Sequence, residues 1–217
     1  MEITNLHNVI LTLGRITPSG VALLGTCFIL NKEGLIATAS HVTNNDNTNL
    51  VVVSSSSTNM MTYQDTSDNQ VRTYPAQIYK VDPVRDICII KIDAKSISNL
   101  VIGGTDDINV SDSVAIVGFP HCDRGRHILT FQSTVIGAKI LIETSEIKSK
   151  HIVLNIQTKP GQSGSPIFKL NDSRLIGMVL GSYAPAGGGG ISLGGIDPQT
   201  LHQTTHAVST EYINKMI

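Results

Sequence analysis

Three side chains far apart in the chain, Ser163, His41 and Asp86, are of the types that together turn a weak nucleophile into a reactive one. A serine hydroxyl attacks a carbonyl only when a base takes its proton and donors await the charge that develops on the carbonyl oxygen. The stretch Thr158-Lys159-Pro160-Gly161-Gln162-Ser163-Gly164-Ser165-Pro166-Ile167-Phe168 is composed for that task. Gly161 permits a sharp turn and close backbone approach, so the N–H groups of Gly161 and Ser163 can converge on one oxygen. Pro166 ends the turn, and Ile167-Phe168 begin a strand. His41 closes an apolar run that shrinks to small residues, Leu35-Ile36-Ala37-Thr38-Ala39-Ser40, and Asp86 leads into the apolar run Ile87-Cys88-Ile89-Ile90-Lys91-Ile92. The imidazole can take the hydroxyl proton while a buried carboxylate holds the ring in the right tautomer. Each segment alone is also what ordinary turns and strand ends use. Their joint occurrence points to acyl transfer.

These segments resemble the nucleophile loop, the T-A-x-H element and the D-x-x-[LI]-[LI]-K element of the trypsin/chymotrypsin-like serine proteases. The order His, Asp, Ser is that of this clan, whereas subtilisins and α/β-hydrolases reach the same constellation in other orders. Gly25-Thr26-Cys27-Phe28-Ile29-Leu30 followed by Gly34 to His41 resembles the family's first-barrel succession. Ser113 to Pro120, ending Gly118-Phe119-Pro120, resembles the bacterial HtrA-like branch. The resemblance implies an all-β fold of two six-stranded antiparallel β-barrels (chymotrypsin-like) with a short C-terminal helix. It also implies a serine endopeptidase with His41 as base then acid, Asp86 as its orienter, Ser163 as nucleophile, and the Gly161 and Ser163 amides as oxyanion hole. Leu175 to Ser182 resembles the strand along which an extended protein or peptide substrate pairs, so Val179, Leu180, Gly181 and Ser182 are expected to bind substrate. A catalytically idle peptide-binding module and an esterase with the same triad are the rival readings.

Two departures from digestive trypsins bear on mechanism. Gln162 stands where those enzymes carry an Asp that pairs with a newly cut N-terminus, so the oxyanion loop must be ordered intrinsically, by substrate or by a regulatory protein partner. Such a partner is expected, since a permanently formed site would be hazardous. By the same resemblance, Gln157 lies at the base of the P1 pocket in place of the Asp that selects Arg and Lys. Thr158 matches relatives that take Glu or Gln, which also need a pocket-wall His that only His206 could supply. A His206 turned elsewhere leaves a pocket for small or medium apolar side chains.

Elements that could position these groups follow from the pattern. The chain has 217 residues, 41% of them hydrophobic, enough for a core divided between two small barrels. Val9–Gly14, Gly25–Leu30, the run into His41, Leu50–Val53, Gln77–Val81 and the run after Asp86 read as six strands. Phe131–Gly137, Ile152–Ile156 and Ile167-Phe168 read as three more, Ser113–Pro120, Leu175–Ser182 and Thr205–Ser209 resemble further strands of the family's second barrel, and Ser209 or Thr210 can cap a helix through Met216. The expected division is residues 1–103 for the barrel with His and Asp, 104–112 for the crossover and 113–217 for the barrel with the nucleophile. Ser54 to Asn69 reads as an exposed, mobile insertion and Ala184 to Gly195 as a Gly-rich loop.

Net charge is −1, which gives no field to attract nucleic acid or anionic membrane. No apolar run is long enough to span a bilayer. His121, Cys122, Asp123 and His127 are ligand types close together, but no second cluster completes four ligands, so neither metal nor cofactor is expected. Cys27, Cys88 and Cys122 are odd in number, and Val42 stands where secreted relatives place the partner of Cys27. With a mixed polar start to the chain, these features lead to the expectation of free thiols and a cytoplasmic location.

Overall fold

A computed structural model describes residues 3–54, 59–183 and 204–217. Twelve strands form two closed antiparallel barrels. The first contains β1 (Ile10–Thr17), β2 (Gly20–Ile29), β3 (Leu35–Ala39), β4 (Leu50–Ser54), β5 (Arg72–Asp82) and β6 (Ile87–Ile92). The second contains β7 (Ser113–Gly118), β8 (Thr130–Thr144), β9 (Ile147–Leu154), β10 (Pro166–Lys169), β11 (Leu175–Tyr183) and β12 (Thr204–Ser209). Their neighbour orders, β1-β2-β3-β6-β5-β4 and β10-β11-β12-β9-β8-β7, wind the same way. Two one-turn helices, α1 (Ser40–Thr43) and α2 (Glu211–Asn214), follow β3 and β12.

Burial explains which strands were easy to read. All five residues of β3 are buried, and β6 exposes only Lys91, because both faces of these strands meet protein. In β8, by contrast, burial alternates with exposure along much of its length, and it runs seven residues past the Gly137 limit expected from sequence. Its outer half lacks the continuous apolar signal that marks a strand covered on both sides. One cluster of buried residues, around Ile116, Ile152, Ile167 and Val179, fills the second barrel. Another fills the first barrel and continues through Phe119, Phe168, Met178, Val208 and Tyr212 into the contact between the two.

Several local expectations are corrected. The insertion after β4 is tied down within residues 59–69. Gln64 Nε2 donates to the Leu129 carbonyl at 2.8 Å and its Oε1 accepts from the Leu129 N–H at 2.8 Å, while Asp65 caps the Ser67 N–H. Thr210 does not cap α2 through its side chain, because its hydroxyl donates to the Leu175 carbonyl at 2.9 Å instead. His41 lies in α1, two residues past the end of the strand that was expected to end at it. The Gly-rich reading of Ala184 to Gly195 lies outside the described residues.

Two histidines are built into packed surroundings. His127 stacks on Phe119 with ring centroids 4.8 Å apart, and its Nε2 lies 3.1 Å from Thr12 Oγ1, so this candidate metal ligand is engaged between the barrels. Burial pushes it down to about 4, and the same cause pushes His151 on β9 to about 4. Both rings stay neutral in the fold and gain a proton on unfolding below the ordinary histidine value near 6.5. Stability is therefore lost as pH falls from about 6.5 towards 4. Urea midpoints measured across that window should fall more steeply for the native protein than for His127→Gln/His151→Gln.

Candidate active site

Of the three sequence-predicted residues, His41 and Asp86 are in contact on the first barrel, and the loop of the second barrel that carries Ser163 is hydrogen-bonded to the first through Thr26. Asp86, just before β6, holds His41 at two points. Its Oδ1 accepts from the His41 backbone N–H at 2.8 Å and its Oδ2 lies 2.5 Å from His41 Nδ1. Its own carbonyl accepts from the Ser40 N–H at 2.9 Å, which fixes the strand end against α1. Asp86 adopts φ 56°, a left-handed conformation that Asp tolerates better than most residues. Strain of this kind persists where surrounding bonds over-determine the backbone. The carboxylate is less buried than expected, with 31% of the side chain exposed against 47% for His41.

The nucleophile loop hangs from the first barrel. Thr26 Oγ1 donates to the Gly161 carbonyl at 2.9 Å and accepts from the Phe119 N–H at 3.1 Å, while the Thr26 N–H donates to the Ser163 carbonyl at 3.0 Å. Gly164, at φ +85°, passes so close that an added Cβ would come 2.1 Å from the Thr26 carbonyl oxygen. Only glycine fits there. On the second-barrel side, Gly164 N–H donates to the Val179 carbonyl at 2.8 Å and Val179 N–H donates to the Ser165 carbonyl at 2.9 Å.

This frame separates the two loop serines. Ser165 is fully buried with its Oγ unpartnered, facing Gly118, where a Cβ would sit 1.9 Å from that oxygen. Ser163 is only partly buried, and its hydroxyl donates to the Leu180 carbonyl at 3.1 Å. Leu180 is the extra residue of a bulge in β11, between the pairs Val179↔Ala207 and Gly181↔His206. Bulges re-aim groups beside active sites. Here the bulge turns a strand carbonyl towards the serine.

Gln162 holds the turn that presents the amides. It is fully buried; its Oε1 accepts from the Lys159 N–H at 2.8 Å, its N–H donates to the Lys159 carbonyl at 3.1 Å, and its Nε2 donates to Gln132 Oε1 at 2.5 Å. The flanking N–H groups of Gly161 and Ser163 donate to no acceptor among the described residues. Two free amides either side of an engaged one are what an oxyanion needs.

The presumed specificity residues divide between two faces. Thr158, Ser182 and Thr205 form a hydroxyl cluster: Thr205 Oγ1 donates to Thr158 Oγ1 at 3.2 Å, and Ser182 Oγ donates to the Thr158 carbonyl at 3.3 Å. Gln157 Oε1 accepts from Lys159 Nζ at 3.0 Å. Along β12, Thr205 and Ala207 are fully buried, and Ala207 faces the second-barrel core with Val179, whereas His206 between them takes the opposite face. There His206 lines a cavity of about 280 Å³ with Ile142, His151 and Leu180 to Ser182.

A family described as the trypsin-like peptidase domain matches residues 25–178, from the Thr26 strand through the nucleophile loop into β11. The chain belongs to that family. A probable periplasmic serine endoprotease, DegP-like, from Halomonas elongata is 28% identical to this trypsin-like peptidase domain over 76% of the chain and 31% of the relative. The corresponding DegP-like protein of Rickettsia conorii is 29% identical over 79% of the chain and 30% of the relative. The chain thus spans about a third of the length of these relatives. Among solved structures, the MamO protease domain of Magnetospirillum magneticum superposes with a TM-score of 0.70 at 11% identity, covering 98% of this chain and 97% of that one. An HtrA-type protease, AlgW with a tripeptide, superposes at 0.66 with 20% identity, over 97% of this chain and 59% of that one.

These relatives correct the expected cytoplasmic location, since they are named periplasmic endoproteases. The physical flaw lies in reading free thiols as a sign of a reducing compartment. Cys27, Cys88 and Cys122 are all free and all buried, and burial raises Cys88 to about 11 and Cys122 to about 12. Thiols without solvent access or thiolate character do not report the redox state outside.

Sequence reasoning missed Thr26 as a support for the loop and Gln132 as the far end of the Gln162 lock. Thr26 lies inside a quoted motif, but its inter-barrel role has no local signal, and Gln132 is one polar residue in a strand. Gln132→Leu should lower kcat by about 10- to 100-fold with KM nearly unchanged, towards the loss seen when an oxyanion donor is removed. Steady-state kinetics on a peptide substrate checks this.

Proposed function

We propose that this domain is a serine endopeptidase. The observation that carries the reading is the two-point hold of Asp86 on His41, together with a partly exposed Ser163 on a loop bonded to the same barrel through Thr26, whose Gly161 and Ser163 amides are unspent among the described residues. With Nδ1–H directed at Asp86, His41 Nε2 carries the lone pair and is the base. The hydroxyl resting on the Leu180 carbonyl belongs to the substrate-free state. An extended substrate pairing along β11 would offer its own N–H to that carbonyl and so release the Ser163 hydroxyl to His41. Oγ then attacks the scissile carbonyl carbon as its proton passes to Nε2, and the developing oxyanion is met by the two amides. The imidazolium, stabilised by Asp86, hands the proton to the leaving amine, leaving an acyl-enzyme. Water enters by the reverse sequence, with His41 again as base, and releases the acid. None of these steps calls for a metal or cofactor.

The substrate is an unfolded or extended polypeptide, and a compartment outside the cytoplasm agrees with the named location of the relatives. The internal bonds of Gln162 support a loop ordered without a regulatory partner. The idle-module reading loses support from the complete set of groups. Ser163→Ala should abolish labelling by a fluorophosphonate probe while Ser165→Ala leaves Ser163 reactive; the reverse pattern would sink the assignment. His41→Ala and Asp86→Ala should each lower kcat by about 10⁴-fold, non-additively with Ser163→Ala. Asp86→Asn should keep the fold better than Asp86→Ala, because Asn also visits the left-handed conformation.

The Thr158, Ser182 and Thr205 cluster draws the two walls of the P1 site together and contains no charge, while His206 takes the other face. This supports small uncharged P1 side chains. Peptide-library cleavage should be dominated by residues such as Ala, Val, Ser and Thr at P1. Arg or Lys there, or Glu lost in His206→Ala, contradicts the pocket assignment.

A further inference from the structure

We propose that the mouth of the first barrel opposite the active site binds a small amphiphilic anion, a carboxylate or phosphate ester carried on a compact apolar body. A cavity of about 500 Å³ opens there, walled by Leu11, Ile29, Tyr74 and Ile92. That size falls within the roughly 300–1,000 Å³ of small-molecule sites. β6 fixes its place: Asp86 precedes the strand, and Ile92, its last residue, lines the cavity. Six residues at about 3.3 Å each set it roughly 20 Å from the His41–Asp86 pair.

Charge gives the sign of the ligand. Arg72 and Lys95 both line the cavity, and among the described residues no Asp or Glu lines it and neither cation makes a hydrogen bond or ion pair. Elsewhere Arg15, Arg85 and Arg174 each hold a carboxylate. Two cations facing one concavity raise the local concentration of anions, and the carboxylates of Glu33 and Asp93, which share the adjoining concavity with Lys95, do not line this one.

Unmet polar atoms give the site its depth. Among the described residues His7 Nδ1 and Ser96 Oγ are buried without a partner, and both residues line this cavity. Leaving such groups unpaired is costly. Ser54, Asn8 and Asn59 add further donors around the same opening. An anionic head between Arg72 and Lys95 would reach these groups while the apolar body covers Leu11, Ile29 and Ile92.

The test titrates the intact chain with 4-phenylbutyrate and with phenyl phosphate, following backbone amide shifts by NMR, with 4-phenylbutanol as the neutral control. The expected result is saturable one-to-one binding with shifts at Leu11, Ile29, Tyr74, Ile92 and Ala94. The alcohol should bind about 10-fold or more weakly, and so should the acid to Arg72→Gln/Lys95→Gln. Arg72 and Lys95 are exposed and unpaired, so the double variant should keep its melting temperature and its fluorophosphonate labelling at Ser163. Absence of saturation by both anions, shifts confined to the Ser163 cleft, equal binding of the alcohol, or undiminished binding to the folded double variant would each overturn the proposal.

Discussion

One buried threonine ties the chemistry of one barrel to the other. Thr26 uses its hydroxyl twice and its backbone N–H once on the second barrel, and its carbonyl accepts from Thr38 Oγ1 at 2.7 Å, two residues before Ser40 and three before His41. The nucleophile loop and the base are thus positioned from the same residue. Hydrogen bonds are individually modest, but a buried group deprived of its partner costs about 1–3 kcal/mol, so the network favours one relative placement over any slipped one. Apolar contacts between barrels supply adhesion without register. The Thr26 network supplies the register.

Close approach is the second half of that constraint. The Thr26 carbonyl and the Ser165 hydroxyl lie where side chains at Gly164 and Gly118 would otherwise stand. The packed surface between the barrels is consequently polar at its centre and apolar around it, with Phe119, Phe168, Met178 and Val208 forming part of the surrounding contact. Buried polar groups are tolerated because nearly every one has a partner; the orphaned Ser165 hydroxyl is the exception beside the nucleophile.

Much of this was legible in the sequence. Nine of the twelve strands were marked by apolar runs and punctuating turns and three by family resemblance, and the short-range motifs around His41 and Asp86 led to two residues that the fold puts in contact. Legibility ended where meaning depended on long-range geometry. The face taken by His206 is set by strand alternation relative to Ala207, the aim of the Leu180 carbonyl by a one-residue bulge, and the hold on Gln162 by a strand thirty residues earlier in the chain. None of these leaves a local pattern. The inferred compartment failed for a different reason: an unpaired cysteine carries information about its surroundings only when those surroundings can reach it.

The two barrels wind in the same order, yet each carries an incomplete set of parts. A chain emerging during synthesis presents β1 to β6 first, and with them the His41–Asp86 pair but not yet Ser163. The serine, its amides and the edge that grips a substrate come later, and they depend on Thr26 for their placement. Reactivity is in this sense a property of the closed pair, a coincidence detector that registers completed assembly. On the proposed reading, a nascent or partly unfolded copy is itself an extended polypeptide of the kind the finished site would cleave, and the same division would keep it inactive.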